Sequence, residues 1–544
     1  MREYGRFGPL VGAIDEGTTN ARFLVFAAST SEVLTYHQVP IKRFSPQEGW
    51  VEQDALELYK SILECIEVTI DNLRKLDINP GDIVSIGITN QRETIIVWNS
   101  LTGQPLYSAI VWLDTRTSKV VDELIKKYGV PWANSVEQVS GLPLSTYFSS
   151  VKLKWLLQNV PAVKDAVVAG ECLAGTVDSW LIWNLTGGCH GGAHVTDVTN
   201  ASRTQLMSLQ SLQWDNRLLK YFDIPIQILP KIKSSSEIYG YIATGSLTGV
   251  PIAGCLGDQQ AALLGQNCLR FGQGKCTYGT GCFLLFNTGD SIVHSKNGLL
   301  TTVAFKLGPE VPPVYALEGS IATAGDALQW LRDGLEIIDD IKDTELILPD
   351  GDNDGDICFV PAFTGLYSPQ WQKDARGKAT KREHFVRAAL ESICQHVRAT
   401  VDALAVDCIP LKQLLVDGGI AQNSTLMQMQ ADLIGIPVIR PLMTESTALG
   451  AAMAAGRALG VWPPATPAPP ADVFLPSLMD DEREIRCKQW EKALDRCMGW
   501  SSDTDERVHH KTEQKNPTAA ALPPGLFFLG TALLVILADK LKPV

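Results

Sequence analysis

Two apolar runs separated by a polar turn open the chain, and this pattern predicts a β-hairpin. Leu10–Ile14 and Phe23–Phe26 supply the apolar runs, and Asp15–Asn20 between them is polar apart from one glycine. Short apolar runs that are bounded by turn residues are typical of buried strands. We therefore predict two antiparallel strands that are joined by a tight polar turn.

The turn of this hairpin carries residue types that bind phosphate. Gly17 permits a close approach of the backbone to a ligand, and the hydroxyls of Thr18 and Thr19 can face phosphate oxygens. Asp15 stands at the strand end, where it can hold a hydrated Mg²⁺ ion, and Arg22 can balance phosphate charge. An ordinary polar turn has the same pattern, so the hairpin alone leaves both interpretations open.

A second buried strand, Ile83–Thr89, ends in the polar turn Asn90–Thr94. Within this turn, Arg92 and Glu93 can grip vicinal hydroxyls, because one side chain donates hydrogen bonds and the other accepts them. A solvated charge pair is the alternative that the sequence leaves open.

A third buried strand, Ile252–Gly257, ends at Asp258, and Ala261–Leu264 opens a helix. Since α/β folds place their chemistry at the carboxyl ends of strands, Asp258 is a candidate general base. It can also cap the helix that follows, and the two roles are compatible.

The pattern of the opening hairpin returns later in the chain. In Cys276–Phe286 a strand, a Gly-Thr-Gly turn and an apolar strand follow one another. This similarity predicts two related halves, each beginning with a phosphate-facing hairpin.

Within Leu414–Asn423 we predict a strand that ends in Asp417, Gly418 and Gly419. The bare backbone of the two glycines would let a flat ring lie on it. Tyr147 precedes another predicted helix and belongs either to a pocket or to the core.

Length and composition limit the class of the protein. A chain of 544 residues is too long for one core, so two or more domains are expected. A net charge of −13 argues against nucleic acid or anionic lipid as the main partner. Twelve cysteines without a CxxC pair indicate reduced thiols in a cytosolic protein, and the N-terminus lacks an apolar signal segment.

The C-terminal part of the chain has a different pattern. A proline-rich linker begins at Pro463, Glu482–Trp500 is predicted to be an amphipathic helix, and residues 501–518 form a polar tether. Residues 519–538 carry no charge, but the stretch after their two prolines, Gly525–Ala538, is shorter than the about 20 residues of a bilayer span. A tail anchor in a thin membrane is the first interpretation, and an interfacial helix or partner-binding tail is the alternative.

Several longer stretches together resemble one protein family. They are DEGTTNARFLVF, EGWVEQD, TNQRETIIVW, GLPLSTYFSSVKLKWLL, DVTNASRT, CLGDQQAALLGQ, YGTGCFLLFNTG and STALGAAMAAG. Through them the chain is similar, from Leu10 to Trp500, to the glycerol kinases of the FGGY carbohydrate kinase family, within the actin–hexokinase–Hsp70 superfamily.

The resemblance implies an α/β protein with two ribonuclease-H-like domains of the actin/hexokinase type and a ligand cleft between them. Residues 9–265 would bind glycerol and phosphate, and residues 266–462 would bind the nucleotide. Residues 463–500 would be the linker and last helix, and the hydrophobic tail would follow the tether.

The resemblance also implies ATP-dependent transfer of the γ-phosphoryl group to glycerol, giving sn-glycerol 3-phosphate. Asp258 would be the general base, and Mg²⁺ would lie near Asp15, held through water. The implied glycerol-binding residues are Arg92, Glu93, Trp112, Tyr147, Asp258, Gln259 and Phe283. The implied ATP-binding residues are Thr18, Thr19, Arg22, Thr280, Gly325, Gln329, Gly419 and Asn423.

The sequence departs from the family pattern at two places. Glu16 stands where the family usually has Gln, which would add a negative charge beside the phosphate turn and weaken ATP binding. Residues 374–381 continue directly into a predicted helix near residue 384, so an apolar strand of the family's second domain is expected to be missing.

These departures keep two alternatives open, a catalytically weak binding or scaffold protein at a membrane and an FGGY kinase of another small polyol. Glycerol and ATP are the expected partners, nucleic acid is not, and a homo-oligomer is left open. The expected location is the cytoplasm, with the tail anchored to the mitochondrial outer membrane as the alternative that the sequence leaves open.

Overall fold

The computed structural model describes residues 4–345, 382–463 and 470–497. The shortened stretch at 374–381, the polar tether and the hydrophobic tail lie outside the described residues, so the expectations about them stay predictions. Within the described ranges, no helix combines the length and apolar character needed to cross a membrane.

The strands of the described residues follow the apolar runs of the sequence. In chain order they are β1 (Leu10–Glu16), β2 (Asn20–Ala27), β3 (Val33–Pro40), β4 (Glu52–Gln53), β5 (Ile83–Asn90), β6 (Ile95–Asn99), β7 (Ala109–Ile110), β8 (Cys172–Thr176), β9 (Val195–Asp197), β10 (Lys231–Lys233), β11 (Ser236–Tyr241), β12 (Pro251–Gly257), β13 (Gly274–Tyr278), β14 (Cys282–Gly289), β15 (Leu300–Phe305), β16 (Val314–Ile321), β17 (Leu414–Asp417), β18 (Val438–Pro441) and β19 (Ala471–Phe474).

Helices separate the strands along the chain. They are α1 (Ala55–Lys75), α2 (Ser118–Tyr128), α3 (Val130–Ser140), α4 (Ser149–Asn159), α5 (Pro161–Ala169), α6 (Val177–Leu185), α7 (Val198–Ser202), α8 (Asn216–Phe222), α9 (Asp258–Gly265), α10 (Gly325–Asp333), α11 (Arg382–Asp407), α12 (Ser424–Ile434), α13 (Ser446–Ala458) and α14 (Asp480–Cys497). Asp54 caps α1 by accepting a hydrogen bond from the Leu56 amide at 2.8 Å.

Two large sheets share one arrangement of strands. The first has the order β11-β12-β5-β1-β2-β3, and the second has the order β15-β16-β14-β13-β17-β18-β19. In each sheet the two strands of a hairpin (β1–β2 or β13–β14) pair antiparallel with each other. The first strand of the hairpin also pairs parallel with a later strand (β5 or β17). The segments β3-β2-β1-β5-β12 and β16-β14-β13-β17-β18 therefore form equivalent five-stranded cores, which confirms the predicted repeat and fold class. All five strands of the second core lie in described residues.

Helix α13 follows the strands of the second sheet in the chain, but it packs on the first sheet and on α9. Small residues make this contact very close. A Cβ atom at Gly450 would lie 1.8 Å from the Ala261 carbonyl oxygen, and one at Gly87 would lie 2.1 Å from the Ala451 carbonyl oxygen. The many alanines and glycines of this helix therefore allow its backbone to approach the first sheet and α9 closely.

Candidate active site

The turns of both hairpins line one cavity of about 550 Å³. Its wall also includes the turn after β5, the start of α9 and the turn after β17, all at the carboxyl ends of strands, where α/β folds bind ligands. The cavity brings together most of the residues that the sequence nominated: Asp15, Thr18, Thr19, Arg22, Arg92, Glu93, Trp112, Tyr147, Asp258, Gln259, Thr280, Phe283 and Gly419.

Three nominated nucleotide-binding residues are not among those that line this cavity. Gly325 packs behind the second hairpin turn, where its amide donates to the Gly279 carbonyl oxygen at 3.1 Å. Gln329 lies one turn further along α10. Asn423 caps α12 and donates to the Thr344 hydroxyl at 3.0 Å. Their assignment to the nucleotide stays a prediction.

Two glutamines anchor the turn of the first hairpin. The Gln53 side-chain amide donates to the Thr18 carbonyl oxygen at 2.8 Å, and that of Gln91 donates to the Gly17 carbonyl oxygen at 3.1 Å. The Thr18 hydroxyl accepts a hydrogen bond from the Trp112 indole at 3.0 Å. These three hydrogen bonds fix the turn against its own domain. Sequence reasoning missed both glutamines, although EGWVEQD and TNQRETIIVW contain them.

Arg22 lies between two carboxylates at this end of the cavity. It forms an ion pair with Asp15 on the same hairpin and a second one, at 2.5 Å, with Glu445 just before α13. About a quarter of the Arg22 side chain stays exposed, so it remains accessible to a ligand in the cavity. A phosphate group would therefore have to share Arg22 with the two carboxylates.

The Glu16 side chain does not line the cavity, although the residue directly precedes the phosphate turn in the sequence. Side chains alternate along a strand, and Asp15 lines the cavity while Glu16 is completely buried on the other face. Burial, and then the neighbouring Asp15, raise the pKa of Glu16 well above its ordinary value. Burial thus favours the neutral form of the carboxyl, which lies outside the cavity where the sequence had led us to expect a negative charge.

Arg92 and Glu93 are both buried, at 3% and 1% exposure, so they are not a solvated charge pair. Glu93 has a backbone φ of 57°, in the left-handed region that non-glycine residues rarely adopt. Such strain is found at functional sites, where the surrounding structure holds it in place. Here Arg203 holds the Glu93 carboxylate through an Nε–Oε1 contact of 2.6 Å.

Asp258 is the first residue of α9, and its side chain keeps 27% of its surface exposed toward the cavity. The Arg92 Nε atom lies 3.1 Å from the Asp258 Oδ1 atom. Burial raises the pKa of Asp258 to about 6, and Arg92 opposes this rise. The carboxylate is thus ionised at neutral pH and has a pKa suited to accepting a proton. Gly257, rather than Asp258, is the capping residue of the helix.

Aromatic rings close the same end of the cavity. The Trp112 ring lies 5.8 Å from that of Tyr147 and 5.6 Å from that of Phe283, in edge-to-face arrangements. Tyr147 lines the cavity and is also buried in the surrounding hydrophobic core, so the two places that the sequence left open are both occupied. An apolar wall opposite charged groups suits a small ligand with carbon on one side and hydroxyls on the other.

Three further charged residues surround the site and were missed from the sequence. Glu318 and Arg203 are buried and belong to the ion network around Arg92. Lys275 is buried as well and donates to Gln259 Oε1 at 2.5 Å. Arg203 occurs in the family-like stretch DVTNASRT, but Glu318 and Lys275 occur within strands, where the hydrophobic pattern hides them.

The arrangement combines a general base, polar groups around a small pocket, and a turn that can bind phosphate. It suits the transfer of a phosphoryl group to a hydroxyl, because such a transition state requires positioning and charge stabilisation more than covalent help from the protein.

Comparison with known proteins agrees with this chemistry. The models for the N-terminal and C-terminal domains of the FGGY family of carbohydrate kinases match residues 10–265 and 274–459. A glycerol kinase of Brucella anthropi is 47% identical over 506 residues, covering 90% of this chain and 99% of that relative. A glycerol kinase of Renibacterium salmoninarum is 48% identical over 500 residues, covering 90% of this chain and 98% of that relative.

A solved structure gives the same result. The crystal structure of Plasmodium falciparum glycerol kinase with ADP matches with a TM-score of 0.80 at 37% identity, covering 90% of this chain and 98% of that one. The two domain models, the relatives that match nearly end to end and the shared architecture show that this chain belongs to the FGGY family of carbohydrate kinases.

Proposed function

We propose that this chain is a glycerol kinase, which transfers the γ-phosphoryl group of ATP to a terminal hydroxyl of glycerol and releases sn-glycerol 3-phosphate and ADP. The observation that carries the proposal is the position of the Asp258 carboxylate, which faces a small pocket beside Arg92 and shares one cavity with both hairpin turns. The glycerol kinases among its relatives support the same substrate.

The polyol end of the cavity has groups for each part of glycerol. Arg92 and Glu93 supply a hydrogen-bond donor and an acceptor, and Trp112 and Phe283 supply the apolar wall. A site built to pair with hydroxyl groups rejects analogues that lack them, because its buried polar groups would be left unpaired. The small aromatic enclosure favours a triol over longer polyols.

Asp258 is the proposed general base. Its carboxylate would accept the proton of the attacking hydroxyl, whose oxygen forms a bond to the γ-phosphorus while the bond to the ADP oxygen breaks. General-base help of this kind contributes about 10²–10⁴-fold to the rate. Thr18, Thr19 and Thr280 would hold phosphate oxygens, and Arg22 would offset their charge.

The carboxylates at the phosphate end fit a Mg²⁺ ion. Asp15 and Glu445 line the cavity and offer the hard oxygen ligands that Mg²⁺ prefers. A bound Mg²⁺ would offset the negative charge of the nucleotide phosphates. The residues of the chain would still bind the polyol, remove its proton and exclude water.

The experiment is an assay of ATP-dependent phosphorylation by the purified chain with glycerol, erythritol, xylitol and gluconate as acceptors. We expect glycerol to have the highest kcat/KM and Asp258→Asn to lose about 10²–10⁴-fold in kcat. A folded chain that binds ATP·Mg²⁺ in a thermal-shift assay but phosphorylates none of the four acceptors would indicate the binding or scaffold protein instead. Preference for a longer acceptor would indicate another FGGY kinase.

The C-terminal tail adds a proposal that rests on the sequence alone. Residues 519–538 carry no charge, and lysines stand on both sides of them. We propose that this segment attaches the enzyme to a membrane such as the mitochondrial outer membrane. Co-sedimentation of the full chain with vesicles of outer-membrane composition, but not of a chain ending at residue 518, is the expected result. Equal sedimentation would contradict it.

A further inference from the structure

Glu318 connects the two sheets at the polyol end of the cavity. It lies in β16 of the second sheet and is completely buried, whereas Arg92 follows β5 of the first sheet. Two nearly parallel contacts join them, from Arg92 Nη1 to Glu318 Oε2 at 2.6 Å and from Nη2 to Oε1 at 2.8 Å. This two-point geometry is the strongest that an arginine and a carboxylate can form.

Glu318 also reaches a second arginine. The Arg203 Nη2 atom lies 3.2 Å from Glu318 Oε1, and Arg203 in turn holds Glu93. The Ser320 hydroxyl donates to Glu318 Oε1 at 2.8 Å. Burial raises the pKa of Glu318, but Arg203 and Arg92 outweigh this effect and lower it to about 2. The carboxylate is therefore ionised at neutral pH.

The contacts of Arg92 show which of its N–H donors remain available to a ligand while Glu318 is bound. A guanidinium has five N–H donors. Two of them point to Glu318, one points to Gln260 Oε1 at 3.3 Å, and the Nε atom lies 3.1 Å from Asp258. Counting only partners in the part of the chain that the structure describes, one Nη2 hydrogen stays available for a ligand hydroxyl.

We propose that Glu318 is a positioning residue for the polyol site, which directs Arg92 toward the substrate hydroxyls and keeps its two terminal nitrogens away from Asp258. The inference rests on the proposed function and deepens it. Because Glu318 and Arg92 belong to different sheets, the polyol site is complete only when the two sheets have the arrangement seen here.

Loss of the Glu318 charge has two consequences, and both lower the pKa of Asp258. A negative charge disappears from the network, and the terminal nitrogens of Arg92 become free to turn toward Asp258. The charged groups that face Asp258 are Arg92, Glu93 and Lys275, and those that face Glu318 are Arg92 and Arg203. A stronger contact with a cation lowers the pKa of a carboxyl, so Asp258 becomes a weaker base.

The experiment compares the wild-type chain with Glu318→Gln. We expect the KM for glycerol to rise about tenfold to a hundredfold, as misplacement of a binding group does, while the KM for ATP changes less than about twofold. The fall of kcat/KM at acid pH should move to lower pH in the variant. A residue with a merely structural role would not move this pH profile.

Glu52→Gln is the matched control. Glu52 is also a buried carboxylate, paired with Arg116 at 2.8 Å, but it does not line the cavity. We expect this variant to lower the melting temperature without changing the KM for glycerol or the pH profile.

Two milder variants decide the question if Glu318→Gln does not fold. Ser320→Ala removes one hydrogen bond to Glu318, and Glu318→Asp keeps its charge but shortens its reach. Both should raise the KM for glycerol in the same direction, by a smaller factor. Wild-type values in both, or an unchanged KM and pH profile in folded Glu318→Gln, would overturn the inference. A wild-type chain that does not phosphorylate glycerol would overturn the proposed function instead.

Discussion

Asp15 and Glu16 are consecutive residues of β1, but their carboxyl groups lie in opposite environments. Asp15 lines the cavity and forms an ion pair with Arg22. Glu16 is completely buried, and neither of its carboxyl oxygens has a hydrogen-bond partner among the described residues. It lies near Cys65 of α1, and burial, followed by the effect of Glu16, raises the pKa of the Cys65 thiol to about 12. Because side chains alternate along β1, the strand places the carboxylate of Asp15 in the cavity and the carboxyl of Glu16 in the core.

Glu16→Gln should therefore stabilise the protein at neutral pH. The pKa of Glu16 is raised in the folded state, so between the ordinary value of 4.5 and the folded value only the folded state keeps the proton. The free energy of unfolding of the wild type then falls by about 1.4 kcal/mol for each pH unit in that window. The free energy of unfolding of the variant lacks this fall with pH. The difference in stability between the variant and the wild type should therefore be small near pH 4.5 and grow as the pH rises.

Urea unfolding at several pH values from 4.5 to 8 measures the difference. Glu32→Gln is the control, because Glu32 is exposed and its replacement should leave the slope unchanged. Parallel pH dependences for the wild type and Glu16→Gln would show that Glu16 is ionised in the folded protein. The ATP-binding penalty expected from the sequence would then become credible again.

The pH dependence of the reaction should follow Asp258. The general base must be ionised, and burial raises its pKa to about 6. We therefore expect kcat/KM for glycerol to be nearly constant above pH 7 and to fall about tenfold per pH unit well below pH 6. The measurement is a pH series at saturating ATP. In Asp258→Asn the residual rate should not depend on pH in this range. A fall centred near pH 4 would mean that the pKa of Asp258 is not raised, and a fall that persists in Asp258→Asn would mean that another group titrates.

Arg22→Met should weaken the use of ATP. Arg22 is the cation between Asp15 and Glu445, and its loss leaves two carboxylates facing the nucleotide phosphates. A charged hydrogen bond contributes about 1.5–3 kcal/mol, so the KM for ATP should rise at least about tenfold. The KM for glycerol should change little. Arg74→Met, at an exposed position of α1, is the surface control. Unchanged ATP kinetics would show that Arg22 serves only to neutralise Asp15 and Glu445.

The sequence predicted the strands and helices around the site because their signals are local. The hairpin at Leu10–Phe26, its repetition at Cys276–Phe286 and the strand before Asp258 all appear as apolar runs that end in polar turns. Strand ends meet at one edge of a sheet, so residues nominated from separate turns came together in one cavity.

The residues that were missed are defined by contacts between distant parts of the chain. Glu318 lies in a mostly apolar strand, and only its pairing with Arg92, 226 residues earlier, reveals its role. The same holds for Glu445, which follows Arg22 by 423 residues. The position of Glu16 outside the cavity also depended on the fold, because the sequence shows the residue type but not on which face of β1 the cavity lies.

Lys152 offers a last test, because it supports the pocket without lining it. Its ammonium group is buried in α4 and donates to the carbonyl oxygen of Thr146 at 3.0 Å and to that of Tyr147. Lys152→Met leaves both carbonyl groups without this donor, and each buried unpaired group costs about 1–3 kcal/mol. We expect the segment that carries Tyr147 to shift, so that the KM for glycerol rises about tenfold while the KM for ATP stays the same.

The pH dependence of the free energy of unfolding is a second test of the role of Lys152. Burial lowers its pKa to about 7 from an ordinary value of 10.5, and Asp114 opposes this effect. Between these values the unfolded state binds the extra proton, so the stability of the wild type should rise with pH from about 7 to 10.5, and Lys152→Met should lose that rise. Lys154→Met is the control on the same helix, since Lys154 pairs with Asp223 away from the cavity. If both variants bound glycerol like the wild type, Tyr147 would be held by its aromatic neighbours and not by Lys152.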